Sequence, residues 1–222
     1  MAWGFLTISA LLIMYTIVLQ GAFVLLWPAA SFALVGISYL TTTTKCFGKK
    51  ENGHLHWISQ FILLPYLVCL WSLWHIIRFF QKENPYDTLN NQITIGRRLF
   101  FREMPSDTQV VVDLTCEFNE DKRIVANYEY KCFPILDCCP TQQQPLIDFI
   151  KDLALCDKKI YIHCAQGHGR TSMITCVLLV FQEKVSSPQQ AMEQIQQKRP
   201  RANMTRRQWQ LVENCCCSIA ID

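Results

Sequence analysis

The sequence lacks charge over two long stretches near its start. No charged side chain occurs in residues 1–44, and none occurs in residues 54–77, although 18% of the 222 residues are charged. A membrane-spanning helix needs about 20 mostly apolar residues, and charge-free stretches of this length are rare in water-soluble domains. The sequence therefore argues against a chain that is soluble throughout. Its positive mean hydropathy of +0.12 argues against a disordered chain.

A basic segment ahead of the first apolar stretch is also missing, which argues against a cleaved signal peptide. Residues 1–80 are predicted to form a membrane region with two or three hydrophobic helices, at roughly 3–19, 22–40 and 57–77. The alternative is a buried helical core. It fits less well, because the apolar stretches are too long and too free of charge.

Basic residues give two indications of topology. Three lysines in residues 41–56 favour a cytoplasmic loop, and the basic residues of 78–102 favour a cytoplasmic C-terminal domain. If residues 57–77 crossed the membrane, these two basic segments would lie on opposite sides of it. A break at Pro65 into a re-entrant or interfacial hairpin would place both segments in the cytoplasm. We expect a multi-pass protein in contact with membrane lipids, with its C-terminal domain facing the cytoplasm.

The remainder of the chain lacks net charge and lacks a CxxC motif. Residues 81–222 hold 17 basic and 17 acidic side chains, so a nucleic-acid partner, which would require a strongly basic domain, is not expected. Twelve cysteines are present, but their irregular spacing does not suit a secreted disulfide scaffold. Reduced thiols in the cytosol are the better interpretation.

Patterns in the C-terminal part predict an α/β domain. Residues 81–91 are polar and are predicted to be a linker, followed by the domain at 92–222. Strand patterns alternate there with helical patterns. The strands are expected at 92–101, 108–114, 128–136 and 159–163, and the helices at 145–156, 171–181, 188–199 and after 205. Strands separated by helices imply a largely parallel central sheet flanked by helices, preceded here by the N-terminal transmembrane helices.

The segment from Ile162 to Ser172 carries the chemistry. A strand delivers Cys164 into a short loop with two glycines, and a helix begins directly after it. Such a loop points backbone N–H groups inward at a helix N-terminus, which makes an anion site and favours the thiolate form of cysteine. Arg170 follows Cys164 by six residues, and its planar guanidinium can bind two phosphate oxygens.

This His-Cys-x5-Arg-Thr pattern at residues 163–171 resembles the signature of the cysteine-dependent protein tyrosine phosphatase superfamily, and residues 92–214 resemble its dual-specificity branch. The alternative, a buried cysteine beside a plain turn, accounts for neither the histidine nor the arginine. The resemblance implies a phosphate site that needs no metal or cofactor, formed by Ala165, Gln166, Gly167, His168, Gly169 and Arg170.

The resemblance also implies roles. Cys164 would attack phosphorus and form a phosphocysteine, and Arg170 would stabilise charge on the transferred group. Thr171 would donate a hydrogen bond to the thiolate, and His163 would orient the loop. Residues 199–203 resemble the family segment that fixes a loop beside the active site. A helix C-terminus with cations favoured by its dipole is the alternative.

A general acid is needed to protonate the leaving oxygen. Family members place an aspartate roughly 25–35 residues before the cysteine, and Asp137 precedes Cys164 by 27 residues. Its competitor is Asp113, which ends a predicted strand and is interpreted as structural.

Together these features predict a membrane-anchored phosphatase. Its expected substrates are proteins phosphorylated on tyrosine and on serine or threonine. One alternative is a lipid phosphatase acting on phosphoinositide or phosphatidylglycerophosphate head groups, because a membrane anchor raises the local concentration of lipid substrates. The basic cluster at 198–207 could also meet anionic lipids. Another alternative is a catalytically dead phosphate-binding module. The sequence carries no signal for an oligomeric state.

Overall fold

The computed structural model describes residues 1–19 and 22–219, which form two compact units. The first unit contains residues 1–50, 54–83 and 116–119, and the second contains residues 51–53, 84–115 and 120 onward. The predicted linker 81–91 is divided between the two units after residue 83. Residues 116–119, from the predicted C-terminal domain, belong to the first unit, and residues 51–53 belong to the second.

The first unit is built from three helices: α1 (Ala2–Val18), α2 (Leu26–Thr41) and α3 (Trp57–Phe80). By length and composition, residues 23–41 and α3 are each sufficient to cross a membrane, and α1 is a shorter apolar helix. Small polar residues such as Ser9 on α1 and Ser31 on α2 are buried, whereas many large apolar side chains are exposed. This arrangement suits helices surrounded by lipid, because their interfaces favour small residues.

The break at Pro65 that would reconcile the two basic segments is absent, since α3 is one helix of 24 residues. The residue after the proline explains its continuity. The backbone N–H of Tyr66 donates to the Ser31 hydroxyl at 3.3 Å, and the Tyr66 side chain packs against Phe32 and Phe47. Neighbouring helices and serine hydroxyls can compensate for a proline in an apolar helix in this way.

The second unit is organised around a five-stranded sheet in the order β1-β2-β5-β3-β4. Strands β2, β5, β3 and β4 are parallel, and β1 pairs antiparallel with β2 at the edge. The strands are β1 (Tyr86–Thr88), β2 (Ile93–Arg97), β3 (Val110–Thr115), β4 (Glu129–Ile135) and β5 (Ile160–Cys164). The predicted α/β class with a largely parallel sheet is confirmed, and four strands lie where the sequence predicted them. Strand β1 lies inside the predicted linker 81–91.

Five helices complete this unit: α4 (Lys122–Asn127), α5 (Gln143–Ala154), α6 (Gly169–Phe181), α7 (Pro188–Lys198) and α8 (Arg206–Ile219). The sequence predicted all of them except the six-residue α4. Helix α7 begins as its sequence indicates, because the Ser187 hydroxyl caps it by accepting from the Gln190 N–H.

Strand β5 lies in the middle of the sheet and positions Cys164. All five of its residues are buried, and it pairs with β2 on one side and with β3 on the other. Helix α6 follows after a four-residue loop and is buried along most of its length, in the main core of the unit. A fully buried parallel strand followed by a buried helix is rigid, so the loop between them has a fixed frame.

Candidate active site

The loop after β5 surrounds the sulfur of Cys164. We call residues 164–170 the phosphate loop. The Cys164 side chain is buried, and its Sγ accepts a hydrogen bond from the Gly167 N–H at 3.2 Å. Gly167 has φ +73°, and a Cβ there would lie 2.3 Å from the carbonyl carbon of Gly96. Only glycine satisfies both the conformation and the space.

Arg199 holds the outer side of the phosphate loop. Its Nε donates to the Gly167 carbonyl at 2.9 Å, and its Nη2 donates to the Gln166 carbonyl at 3.0 Å. Its Nη1 forms an ion pair with Asp87 at 2.8 Å, and the whole side chain is buried. These contacts fix two carbonyls of the loop, and the Gly167 N–H points to the Cys164 sulfur. The sequence left residues 199–203 between a segment whose Pro200 and Asn203 fix a loop and a helix end with favoured cations; in the structure the loop contacts are made by Arg199.

The structure brings Arg170 and Asp137 together. Arg170 Nε lies 3.3 Å from Asp137 Oδ1, and Arg170 Nη1 donates to the carbonyl of Ile135 at 2.9 Å. Arg170 is almost fully buried, whereas the Asp137 side chain is 47% exposed. The predicted phosphate-binding cation is therefore fixed at the end of β4, and the predicted acid has access to solvent.

Asp137 lies in a second loop, residues 136–140, which we call the acid loop. Helix α8 and the residue before it contact this loop directly. The Thr205 hydroxyl donates to the Cys138 carbonyl at 3.2 Å, and Gln208 Nε2 donates to the Cys139 carbonyl at 3.2 Å. Gln208 is completely buried. The sequence indicates Gln208 only as the partner of Thr205 in the start signal of α8, a pairing that the structure forms, and does not predict its contact with the acid loop.

Cys138 is the unusual residue of the acid loop. It has φ +58°, which is uncommon for a residue other than glycine. Burial raises the pKa of its thiol to about 11, and the neighbouring Asp137 carboxylate adds to this shift. Cys138 is therefore a neutral thiol at physiological pH.

His163 is part of a buried polar cluster beneath the phosphate loop. Its Nε2 lies 3.4 Å from Glu120 Oε2, and Arg98 forms an ion pair with the other oxygen of Glu120 at 3.1 Å. Glu120 was missed by the sequence analysis, because it is one of several acidic residues in a loop. Arg98 thus holds Glu120, and Glu120 lies beside the His163 ring, an arrangement that could support the predicted orienting role of His163.

Asp113 belongs to the same cluster. Its carboxylate accepts from the Tyr130 hydroxyl at 2.6 Å and from the Thr115 hydroxyl at 2.7 Å. Burial and this carboxylate raise the pKa of Tyr130 well above its ordinary value. Asp113, Glu120 and His163 have ligand atoms within 4.8 Å of one another, a spacing that a metal ion could use. Since both carboxylates already accept hydrogen bonds from protein groups, we interpret the cluster as structural.

Thr171 lies in the first turn of α6 and is fully buried. Within residues 1–19 and 22–219, its hydroxyl makes no hydrogen bond. The predicted bond to the Cys164 sulfur is thus not formed in this structure. The predicted role of Thr171 is to donate to the Cys164 thiolate, which is a stronger acceptor than the thiol.

An open pocket of about 490 Å³ lies over the phosphate loop. It is lined by Cys164, His168 and Gly169 from that loop, and by Asp137 and Cys138 from the acid loop. The third side is formed by residues between α7 and α8 and at the start of α8: Arg201, Asn203, Met204, Thr205 and Gln208. The predicted nucleophile and acid therefore face one solvent-accessible space.

Comparisons with known proteins give a consistent result. Residues 104–214 match the family described as "Dual specificity phosphatase, catalytic domain". The chain is 35% identical over 100 residues to the "Putative tyrosine phosphatase 197R" of Invertebrate iridescent virus 6, covering 37% of this chain and 35% of that protein. It is 29% identical over 109 residues to the "Phosphatidylglycerophosphate phosphatase PTPMT1" of Arabidopsis thaliana, covering 49% of this chain and 31% of that protein. The chain thus spans about a third of the length of these relatives.

Solved structures share the fold. The structure of PTPMT1 in complex with PI(5)P has a TM-score of 0.51 at 17% identity, over 62% of this chain and 98% of that one. A mouse putative dual specificity phosphatase has a TM-score of 0.52 at 12% identity, over 64% of this chain and 92% of that one.

The family match spans half of the chain and includes both Asp137 and the phosphate loop. The chain therefore belongs to the dual specificity phosphatase family, within the cysteine-dependent protein tyrosine phosphatase superfamily.

Proposed function

We propose that this phosphatase is a membrane-associated enzyme that hydrolyses phosphomonoesters through a phosphocysteine intermediate on Cys164. The observation that carries the proposal is that Cys164 and Asp137 line one pocket, while Arg170 Nε lies 3.3 Å from Asp137 Oδ1. A phosphate group in the phosphate loop would accept hydrogen bonds from the inward N–H groups of residues 165–169. Arg170 would then bind its equatorial oxygens and stabilise the charge of the transition state.

The chemistry proceeds in two steps. In the first, the Cys164 thiolate forms an S–P bond as the P–O bond to the leaving group breaks, and Asp137 gives its proton to the leaving oxygen. In the second, a water molecule attacks phosphorus, the S–P bond breaks, and Asp137 takes a proton from the water. Thr171 would donate to the departing thiolate. Because Asp137 must carry a proton in the first step, its contact with Arg170 has to open when phosphate binds.

The test is turnover of a small aryl phosphate by the full chain in detergent. We expect Cys164→Ser to reduce the rate by more than about 10³-fold, as for removal of other catalytic nucleophiles. Cys217→Ser, at an exposed cysteine of α8, is the matched control and should keep full activity. Acid quenching with ³²P-labelled substrate should trap a phosphoenzyme in the wild type and in Cys217→Ser, but not in Cys164→Ser. Vanadate binding without any turnover would instead identify a phosphate-binding module.

Phosphorylated proteins are the first candidate substrates. The pocket is open to solvent, so a phosphorylated side chain on a protein surface can reach Cys164. The viral relative carries the name of a tyrosine phosphatase. We expect hydrolysis of peptides that contain phosphotyrosine and of peptides that contain phosphoserine or phosphothreonine.

Phospholipids are the second candidate substrates, and two observations favour them. The Arabidopsis relative is named as a phosphatidylglycerophosphate phosphatase, and the first unit of this chain holds two helices able to cross a membrane. Protein and lipid substrates are separated by measuring phosphate release from a panel of phosphopeptides and from vesicles that contain phosphatidylglycerophosphate or phosphoinositides. Turnover on vesicles but not on peptides would select the lipid substrates, and the reverse result would select the proteins.

A cytoplasmic location of the second unit is also part of the proposal. All twelve cysteines are free in the structure, including pairs adjacent in sequence. Free thiols in this number suit a reducing compartment.

A further inference from the structure

Helix α3 has the length and the apolar content to cross a membrane, but both of its flanks belong to the second unit. Residues 51–53 precede it and residues 84 onward follow it. The first flank is firmly held, since the Gly53 carbonyl accepts from the Glu120 N–H at 2.9 Å. A Cβ on Gly53 would lie only 2.7 Å from the Tyr130 hydroxyl. The tip of the α2–α3 connection is thus packed within the phosphatase fold.

Chain lengths then restrict where α3 can lie. The links from the second unit to α3 are residues 54–56 and 81–83, each spanning at most about 14 Å. The hydrocarbon core is about 30 Å thick, and a folded α/β unit cannot be threaded through it. If α3 crossed the bilayer, one of its short links would have to return across the whole core.

We propose that α3 does not cross the membrane but lies along its cytoplasmic surface, with its exposed apolar side in the boundary between lipid head groups and acyl chains. The proposal rests on the membrane association proposed above. It leaves α1 and α2 as the membrane-inserted hairpin. Phe5 of α1 packs against Phe32 and Tyr39 of α2, which is consistent with an antiparallel pair.

One side of α3 makes polar contacts that hydrocarbon would not allow. Trp71 Nε1 donates to the Glu117 carbonyl at 3.1 Å, and the Gln60 side chain accepts from Asn119 Nδ2 at 3.1 Å. Gln60 and Trp71 are eleven residues apart, or about 16 Å along the helix axis. The polar segment 116–119 therefore contacts α3 at two residues that are about 16 Å apart along the helix.

The other side of α3 is apolar and exposed. Ile58, Ile76 and Phe80 are 45%, 54% and 73% exposed, and each lies about 140° or more around the helix axis from Gln60 and Trp71. Arg78 lies on the side of the polar contacts, five turns after Gln60, where it stacks over the ring of Trp74 at 5.2 Å. These are the features of a helix that lies in the interface.

This placement also resolves the conflict between the basic segments. The lysine-rich loop 41–56 and the basic residues after Arg78 lie on the same side of the membrane when α3 does not cross it. Both then satisfy the positive-inside rule without a break at Pro65.

The proposal is tested by measuring on which side of the membrane the residues before α3 and the residues after it lie. The full-length Glu51→Cys variant is expressed, and sealed microsomes are treated with a membrane-impermeant maleimide before and after permeabilisation. Mass spectrometry then reads the modification at residue 51 and at the native Cys217, an exposed cysteine of α8. We expect the two sites to be labelled to the same extent before permeabilisation. Wild-type chain provides the control for Cys217 alone.

Labelling of one site before permeabilisation and of the other only afterwards would overturn the proposal, since α3 would then cross. Release of the chain from microsomes by alkaline carbonate would overturn the membrane association as well. Turnover of an aryl phosphate, measured on the same microsomes, reports the chemistry of Cys164 independently. A failure of the topology is thereby distinguished from a failure of the proposed enzyme activity.

Discussion

The two loops that meet at the pocket are held in different ways. The phosphate loop lies between a buried strand and a buried helix, and the residues that define it are contiguous from His163 to Thr171. The acid loop follows edge strand β4 and is held by Thr205 and Gln208, nearly 70 residues further along the chain. The comparison teaches that phosphate binding is largely a local property of the sequence, whereas placement of the acid depends on a distant helix.

This difference predicts two kinds of kinetic defect. Damage to the phosphate loop should slow all substrates alike, because every substrate presents the same phosphate. Damage to the acid loop should slow substrates with poor leaving groups most, because good leaving groups need little protonation.

The largest effect is expected for Arg170→Lys. Lysine keeps the charge but cannot donate two parallel hydrogen bonds to phosphate, and it also loses the bond to the Ile135 carbonyl. We expect a loss of about 10³-fold in kcat/KM, equal for aryl and alkyl phosphates. Arg207→Lys, at an exposed position of α8, should have no effect. A loss that depended on the leaving group would contradict the assignment of Arg170 to phosphate.

Asp137→Asn is expected to produce the next largest effect, of about 10²-fold with alkyl phosphates. Asparagine is similar in size but cannot give a proton. With p-nitrophenyl phosphate the loss should be much smaller. Asp148→Asn on α5 is the matched control, since Asp148 is exposed and accepts a hydrogen bond from Gln144, one turn earlier in the same helix. Equal losses on both substrates would show that Asp137 is not the acid.

Arg199→Lys should reduce kcat/KM by about tenfold on every substrate. A lysine can replace one of the contacts to Gln166, Gly167 and Asp87, but not all of them. Vanadate affinity should fall by a similar factor, because the loop N–H groups are no longer held inward. If activity fell while vanadate affinity stayed the same, Arg199 would act elsewhere than on the phosphate loop.

Gln208→Leu should have a smaller effect, of about threefold on alkyl phosphates and none on p-nitrophenyl phosphate. Leucine fills the buried space but cannot donate to the Cys139 carbonyl, so the acid loop loses one of its two bonds to this region. Gln210→Leu, at an exposed position of the same helix, is the control. An equal loss on both substrates would place the effect in the phosphate loop instead.

The smallest effect concerns Cys138, whose thiol has a pKa of about 11. Since the thiolate is the reactive form, alkylation of Cys138 by iodoacetamide should stay slow at pH 8 and rise towards pH 11. In Asp137→Asn the rise should shift to lower pH, because the neighbouring negative charge is removed. Peptide mass spectrometry at several pH values measures both. Rapid alkylation of Cys138 at pH 8 in the wild type would contradict the raised pKa.

Much of the second unit was predictable because its elements have local signals. Buried strands such as Val110–Thr115 are indicated in the sequence by runs of apolar residues. The start of α7 is indicated by a serine cap followed by a proline. Strand β1 was missed because it has only three residues, and antiparallel pairing with β2 rather than its own composition stabilises it. Helix α4 was missed for the same reason, since six residues carry too little periodicity.

The candidate site was predictable to the extent that one motif contains it. Cys164, Arg170 and the glycines are contiguous, so their chemistry could be inferred before the fold was known. Asp137 was found by its distance from the cysteine. Glu120, Arg199 and Gln208 had no such signal, because each acts through contacts with residues far away in sequence.

The sequence by itself determined the alternation of strands and helices, the apolar character of residues 1–80 and the identity of the nucleophile. The first two properties depend on composition and periodicity, and the nucleophile is a prediction from the short spacing of one motif. The tertiary structure alone decided that Arg199 binds the phosphate loop, that α8 holds the acid loop and that both flanks of α3 belong to the phosphatase unit. The physical reason is that buried polar groups must find partners, and only the folded chain determines which distant residue supplies them.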